Sequence, residues 1–361
     1  MSDRTQKIAG YNIVYDMIRA VASLVVFILH VKPLLLYSLD NQTAPMASFD
    51  KMLLLIAVEF FFALSGILIG KILLDILQKK HTKRTLGIFM ARRVMRTFPA
   101  YYAALVLLVV FYICFGVALP DNLILYFVFL QNATGFDMSF FGPSWSLAVE
   151  ELFYFFFSAL LIILVGFRMK PLLKIRLAIL VFIVFSVIVR NIEMMDFSKW
   201  QYEISVASFA RLDSIAIAMM VITFRNWNIS RSYFVLTSLI LFGMMIYLVL
   251  GWNSIEPDLY NRIILNILFL AIPFSCAVIV RYLSENLDMA PNKVIIFFAD
   301  ISYPLYIFHM VIFFGAYHLL PSFSPLIVVV TALLCLLLCY AFHYFVERPI
   351  LNLRPAYYSK R

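Results

Sequence analysis

The sequence predicts an all-α, polytopic transmembrane helix bundle of about ten spans, with both termini in the cytoplasm. Three observations predict it. The first is composition: the 361 residues are 64% hydrophobic and only 14% charged, against about 45–50% apolar in soluble domains. The second is recurrence. Ten apolar runs of spanning length lie at roughly 12–32, 52–76, 99–118, 146–167, 174–192, 206–224, 232–251, 262–282, 294–316 and 325–346. The third is the alternation of charge between the segments that join them. One set carries Arg4 and Lys7; Lys79, Lys80, Lys83, Arg84, Arg92, Arg93 and Arg96; Arg168, Lys170, Lys174 and Arg176; Arg225 and Arg231; Arg281 and Lys293; and Arg348, Arg354, Lys360 and Arg361. The alternate set is mostly acidic: Asp40 and Asp50, Asp121 and Asp137, Glu193 and Asp196, Glu256 and Asp258. The positive-inside rule puts the basic set in the cytoplasm. The net charge of +9 follows from this layout and calls for no nucleic-acid partner; the partner it implies is the lipid bilayer.

One integral membrane domain over 1–361, with no soluble domain appended, is the expected organisation. The first run is no signal peptide, because Asp16 and Arg19 interrupt it and no small-residue cleavage site follows. Cys114, Cys276, Cys335 and Cys339 all sit in apolar runs and read as packing residues. The five histidines show no metal-ligand spacing, so no metal is expected, and no phosphate-binding glycine loop supports a nucleotide-driven pump.

The first run, 11–31, is long enough to cross a bilayer yet carries Asp16, Arg19 and His30. Ionisable groups at membrane depth cost a few kcal/mol, roughly, and so avoid lipid. Arg19 and His30 are eleven residues apart. On a helix they return to within roughly 20° of one another, about 16 Å apart along the axis. Asp16, one turn before Arg19, is placed to pair with it. A buried ion pair plus a core histidine is the plainer reading. Three such residues on one stripe favour a polar track through the membrane.

The later runs add candidates in order. Glu59 is a carboxylate at membrane depth in the second run, and Gly66 and Gly70 form a small-xxx-small pair for close helix approach. Arg92, Arg93 and Arg96 cluster where the third run begins, ahead of Pro99. Positive-inside anchoring explains part of that cluster, but paired guanidinium forks also suit phosphate. In the fourth run Ser146, Glu150 and Tyr154 share a face, and Trp145 stands at the outer interface. Arg211 and Asp213 open the sixth run as a buried charge pair. Ser302, Tyr306 and His309 share a face in the ninth. Glu347, Arg348 and Pro349 read as a structural terminus.

Together these stretches resemble acyltransferase family 3, the integral membrane acyltransferases that include polysaccharide O-acetyltransferases. The resemblance rests on D-x-x-R followed by ten residues and a histidine (Asp16, Arg19, His30), F-F-x-L-S-G at 61–66, R-R-x-x-R-x-x-P-x-Y at 92–101, W-S-L-x-x-E-x-x-F-Y at 145–154, R-x-D at 211–213, S-Y-x-L-Y-x-x-H at 302–309 and E-R-P at 347–349. Each motif is weak alone; seven in order are specific. Glu59 stands where the family often has Asp, and Ala218 where a glycine is common.

The resemblance implies transfer of an acyl group, most often acetyl, from cytoplasmic acyl-CoA to a hydroxyl of an extracytoplasmic carbohydrate or glycolipid such as O-antigen or exopolysaccharide. The membrane would be the bacterial inner membrane. Arg92, Arg93 and Arg96 then hold the CoA, and His30 is the base. Arg19, fixed by Asp16, holds the CoA arm or stabilises an oxyanion. Glu150 or Glu59 orients the imidazole. Trp145, Ser146, Tyr154, Arg211, Asp213, Ser302, Tyr306 and His309 bind substrate or support the site. Direct transfer and an acyl-histidine relay both fit. The alternative is a transporter of a polysaccharide intermediate or another polar solute, which would use intramembrane charges without acyl chemistry.

Overall fold

The computed structural model describes residues 12–40, 46–79, 82–133, 138–194, 203–224, 227–251, 259–320 and 324–357. Of the charges used to assign sides, Arg4, Lys7, Lys80, Asp137, Asp196, Arg225, Glu256, Asp258, Lys360 and Arg361 lie outside the described residues.

Among the described residues there are nine helices long and apolar enough to cross a membrane, which makes this an integral membrane protein. They are α1 (Ile13–Asp40), α2 (Ser48–Gln78), α3 (Thr82–Cys114), α4 (Ser144–Val165), α5 (Pro171–Glu193), α7 (Arg231–Gly251), α8 (Leu259–Asn286), α9 (Lys293–Leu319) and α10 (Pro325–Phe342), the last continued through a π turn, His343–Glu347, to Asn352. Local chemistry sets several ends. Pro171 and Pro325 occupy first-turn positions, where a missing N–H costs nothing. Asn292 caps α9 by accepting from the Val294 and Ile295 amides at 2.8 and 3.3 Å. Gly116, with φ 68°, takes the left-handed position just past α3.

The sixth run departs from the expected single span. Its regular part is α6, Leu212–Thr223, preceded by a short turn of 3₁₀ helix at Phe209–Arg211 and a four-residue helix at Glu203–Val206. At about 1.5 Å per residue α6 covers only about half the bilayer core. The break falls where Arg211 and Asp213 enter the bundle. Irregular backbone at that depth is tolerable because protein surrounds it: 210–219 are all buried. The helix α6 is the hub of one half of the bundle, packed on α2, α5 and α8. In the other half α1 packs on α9, and α3 packs on both α4 and α9. The surface is inverted relative to a soluble protein: Leu180, Val184 and Ile188 on α5, Leu236 and Leu239 on α7, and Leu333 and Leu337 on α10 all face outward. That surface suits lipid.

Candidate active site

The α1 stripe forms as its spacing requires. Arg19 donates to Asp16 Oδ1 at 3.3 Å, with the carboxylate buried. Arg19 also lines two cavities. One, of about 430 Å³ at the basic end of the bundle, has Lys71, Arg93, Arg96, Asp300 and Arg354 in its wall. The other, an inner cavity of about 130 Å³, adds Ser65, Ser146, Glu150, Tyr154 and Tyr306 to Arg19, Arg93 and Arg96.

The arginine cluster divides. Arg93 and Arg96, three residues apart on one helix face, line both cavities. Arg93 Nε is buried without a hydrogen-bond partner, and its guanidinium lies 5.7 Å from the Tyr154 ring. Arg96 pairs with Glu347 at 2.9 Å. Glu347 also accepts from His343 Nδ1 at 2.7 Å. The carboxylate expected at a surface terminus is therefore buried against the site, because the π turn rotates it inward. Arg92 faces away. It donates to the Pro355 carbonyl at 2.7 Å, and its guanidinium lies 4.6 Å from the Tyr357 ring centre.

Glu150 accepts from Tyr154 Oη at 2.8 Å and from Ser65 Oγ at 3.0 Å. The Tyr154 contact follows from their i, i+4 spacing; Ser65, from the F-F-x-L-S-G stretch, was not singled out by sequence. Glu151 is a second omission. It is buried beside Glu150 with Oε1 unpartnered, and the paired glutamates in the sequence were its signal. Ser302 donates to the Ala299 carbonyl at 2.7 Å while lining the inner cavity.

Beyond the inner cavity lies a larger one, about 550 Å³, with His30, Trp145 and Tyr306 in its wall and apolar side chains such as Val26, Leu55 and Met310 around them. Tyr306 borders both cavities, and its hydroxyl is hydrogen-bonded to Ser146 at 2.7 Å. Trp145 is buried and meets Phe62 edge-on at 6.1 Å, so it is a cavity wall and not an interfacial belt residue.

Neither glutamate orients His30. The His30 Nδ1 lies 2.8 Å from the Val26 carbonyl. A carbonyl only accepts, so Nδ1 carries the proton and Nε2 keeps a lone pair. His309 is held alike, with Nδ1 2.9 Å from the Leu305 carbonyl and Nε2 buried and unpartnered. The two imidazole rings are 4.9 Å apart.

Glu59, Arg211 and Asp213 form a separate buried network. Arg211 pairs with Glu59 on α2, and Asp213 pairs with Arg190 on α5 at 2.5 Å. The expected Arg211–Asp213 pair is thus replaced by two pairs between elements, because positions i and i+2 do not face each other on a helix. Phe269 on α8 lies against both guanidinium groups, at 4.5 Å from Arg211 and 4.9 Å from Arg190. This network ties α6 to α2, α5 and α8 and takes Glu59 away from His30.

A cluster of guanidinium groups, a chain of hydroxyls and a carboxylate, and a pair of imidazoles thus follow one another through the bundle. Comparison with known proteins agrees with a group-transfer chemistry. A family model described as an acyltransferase domain matches residues 12–344. The chain is 34% identical over 140 residues to the peptidoglycan O-acetyltransferase OatA of Listeria monocytogenes, in an alignment covering 34% of this chain and 22% of that protein. The chain thus aligns with about a fifth of that relative's length. No solved structure matches. With the family match running from the start of α1 into the π turn that follows α10, the chain belongs to acyltransferase family 3 and is an integral membrane acyltransferase.

Proposed function

We propose that this enzyme moves an acyl group, acetyl in the first instance, from cytoplasmic acyl-CoA to a hydroxyl of an extracytoplasmic carbohydrate or glycolipid, and that it does so in a bacterial inner membrane. O-antigen and exopolysaccharide are the acceptors in view; the relative's name points to peptidoglycan as another surface glycan. The observation that carries the reading is the succession of cavities. Arg19, Arg93 and Arg96 line both the basic-end and inner cavities, and Tyr306 lines both the inner cavity and the one holding His30.

The donor's fit is supported by Arg93 Nε, a buried donor with no protein partner. Arg93 and Arg96 would hold the phosphates of CoA bidentately, leaving the thioester arm to extend toward His30. The distance from Arg19 to His30, about 16 Å along the helix, suits an extended pantetheine arm. Arg19 is placed to steady that arm or a developing oxyanion. His30 Nε2 takes the proton from the acceptor hydroxyl as that oxygen attacks the thioester carbonyl; the C–S bond then breaks, and the imidazolium returns the proton to the departing CoA sulfur. Trp145 offers an apolar face for a sugar ring.

The test has two arms. Purified protein in nanodiscs is titrated with acetyl-CoA, and surface glycans are compared by mass spectrometry with and without the gene. Arg93→Lys and Arg96→Lys should each weaken acetyl-CoA roughly ten-fold or more and leave acceptor affinity little changed, since lysine keeps the charge but lacks the fork. Wild-type affinity in both variants would reduce the pair to a helix anchor. Unaltered glycans in the deletion strain would remove the carbohydrate acceptor.

A further inference from the structure

The basic-end cavity contains a guanidinium that the sequence places only among topological charges. Arg354 follows the last turn of helix and is brought into the cavity wall with Arg19, Arg93 and Arg96. Its Nε and Nη2 are both buried without a hydrogen-bond partner. Burial, together with nearby Arg96, Arg92 and Arg93, pushes Arg354 down to about 10, so it remains a cation at neutral pH. The folded chain therefore gathers four guanidinium groups here, with Asp16, Glu347 and Asp300 as the carboxylates close by. Like charges held together with orphaned donors are costly unless an anion completes them.

The segment that carries Arg354 is held in place. Arg92 donates to the Pro355 carbonyl at 2.7 Å and lies 4.6 Å from the Tyr357 ring centre. Arg92 thus acts through Arg354: it positions the segment and lines neither cavity. The two cavities also give the site a direction. Arg93 and Arg96 stand where the cavities join, whereas Arg354 and Lys71 line only the one at the basic end. An anion at Arg354 and Lys71 is farther from His30 than an anion at Arg93 and Arg96.

We propose that Arg354, with Lys71, forms a second phosphate subsite that reads the phosphate of the donor most remote from the thioester. This rests on the acyl-CoA reading above. CoA carries two kinds of phosphate: the pyrophosphate that ends the pantetheine arm, and the 3′-phosphate on the ribose beyond it. The pyrophosphate falls to Arg93 and Arg96, the 3′-phosphate to Arg354 and Lys71. The enzyme then distinguishes CoA from donors that end at a single phosphopantetheine phosphate.

The experiment titrates the full chain in nanodiscs with CoA, 3′-dephospho-CoA and phosphopantetheine. Wild type should bind CoA roughly ten-fold or more tighter than 3′-dephospho-CoA, the worth of one charge-assisted phosphate contact. Arg354→Gln should weaken CoA to the dephospho-CoA level and leave dephospho-CoA unchanged, which also shows that the variant is folded. Arg92→Ala should move in the same direction by less. Equal weakening of CoA and dephospho-CoA in Arg354→Gln, or no change in either, overturns the subsite. Should Arg354→Gln fail to fold, Arg354→Lys is read for the same ratio, and an unchanged ratio there also overturns it. If wild type binds none of the three, the acyl-CoA reading itself fails and the subsite with it.

Discussion

His30 and His309 each commit Nδ1 to a carbonyl four residues back on their own helix, which turns both Nε2 lone pairs away from the backbone. The rings lie 4.9 Å apart, so one can take a proton while its neighbour shapes the space around it. Only His30 borders the large cavity. We expect His30→Ala to fold, insert and lose transfer by roughly 10²–10⁴-fold, the usual worth of a general base, while His309→Ala loses less. Initial rates with purified protein, beside a size-exclusion profile, decide this; near-normal turnover in His30→Ala would remove it as the base. The Asp16, Arg19, His30 stripe was legible in sequence because the helical period alone sets which residues share a face. The partners across helices were not. Glu59 and Glu150 looked equally able to orient His30, yet Arg211 holds the first and Ser65 with Tyr154 the second. Periodicity carries no information about how far neighbouring helices are rotated or slid, and those two quantities choose partners.

At the scale of elements, the contact of α2 with α6 sets the geometry of the bundle's second half. Gly66 and Gly70 were legible as a close-approach pair, and the helix they admit is α6. The two glycines are not equivalent. A Cβ at Gly66 would stand 2.5 Å from the Ile215 carbonyl oxygen and 2.6 Å from the Ala218 Cβ, neither able to swing aside. At Gly70 the neighbours are Ile222 Cδ1 at 2.5 Å and Met219 Cγ at 2.6 Å, side-chain atoms that can rotate away. Gly66→Ala should therefore destabilise by about 1–3 kcal/mol, and Gly70→Ala by distinctly less. Thermal unfolding of the detergent-solubilised proteins measures the difference, and equal melting temperatures would mean that α2 and α6 separate freely. The same contact gives Ala218 its place: its methyl fills the space opposite Gly66. What sequence could not show was the break before α6. The run 206–224 is apolar enough for a span, and the break falls where four charged side chains are drawn together around Arg211.

At the scale of the whole molecule, the mechanism depends on which way the bundle faces, and this rests on the distribution of lysine and arginine. Within the described residues, Lys79, Lys83, Arg84, Arg92, Arg93 and Arg96 lie at the end of the bundle where α2 gives way to α3. The segment between α3 and α4 carries Asp121 and no lysine or arginine. Reversing the protein would require the basic set to be carried across the membrane, at a cost of roughly 2.5–3.5 kcal/mol for each charge at the bilayer centre. The expected orientation therefore has Lys83 inside and Asp121 outside. Among the described residues Cys114 is exposed and Cys276, Cys335 and Cys339 are buried, so a Cys114→Ser background is quiet enough to test it. In intact cells a membrane-impermeant maleimide should label Asp121→Cys and spare Lys83→Cys, which should react only after permeabilisation. The opposite pattern would put Arg93 and Arg96 on the side that holds no CoA and leave His30 nearer the cytoplasm. The same cavities would then run from an outer anion site inward, and the direction of transfer proposed here would be untenable whatever the affinity of the purified protein for CoA.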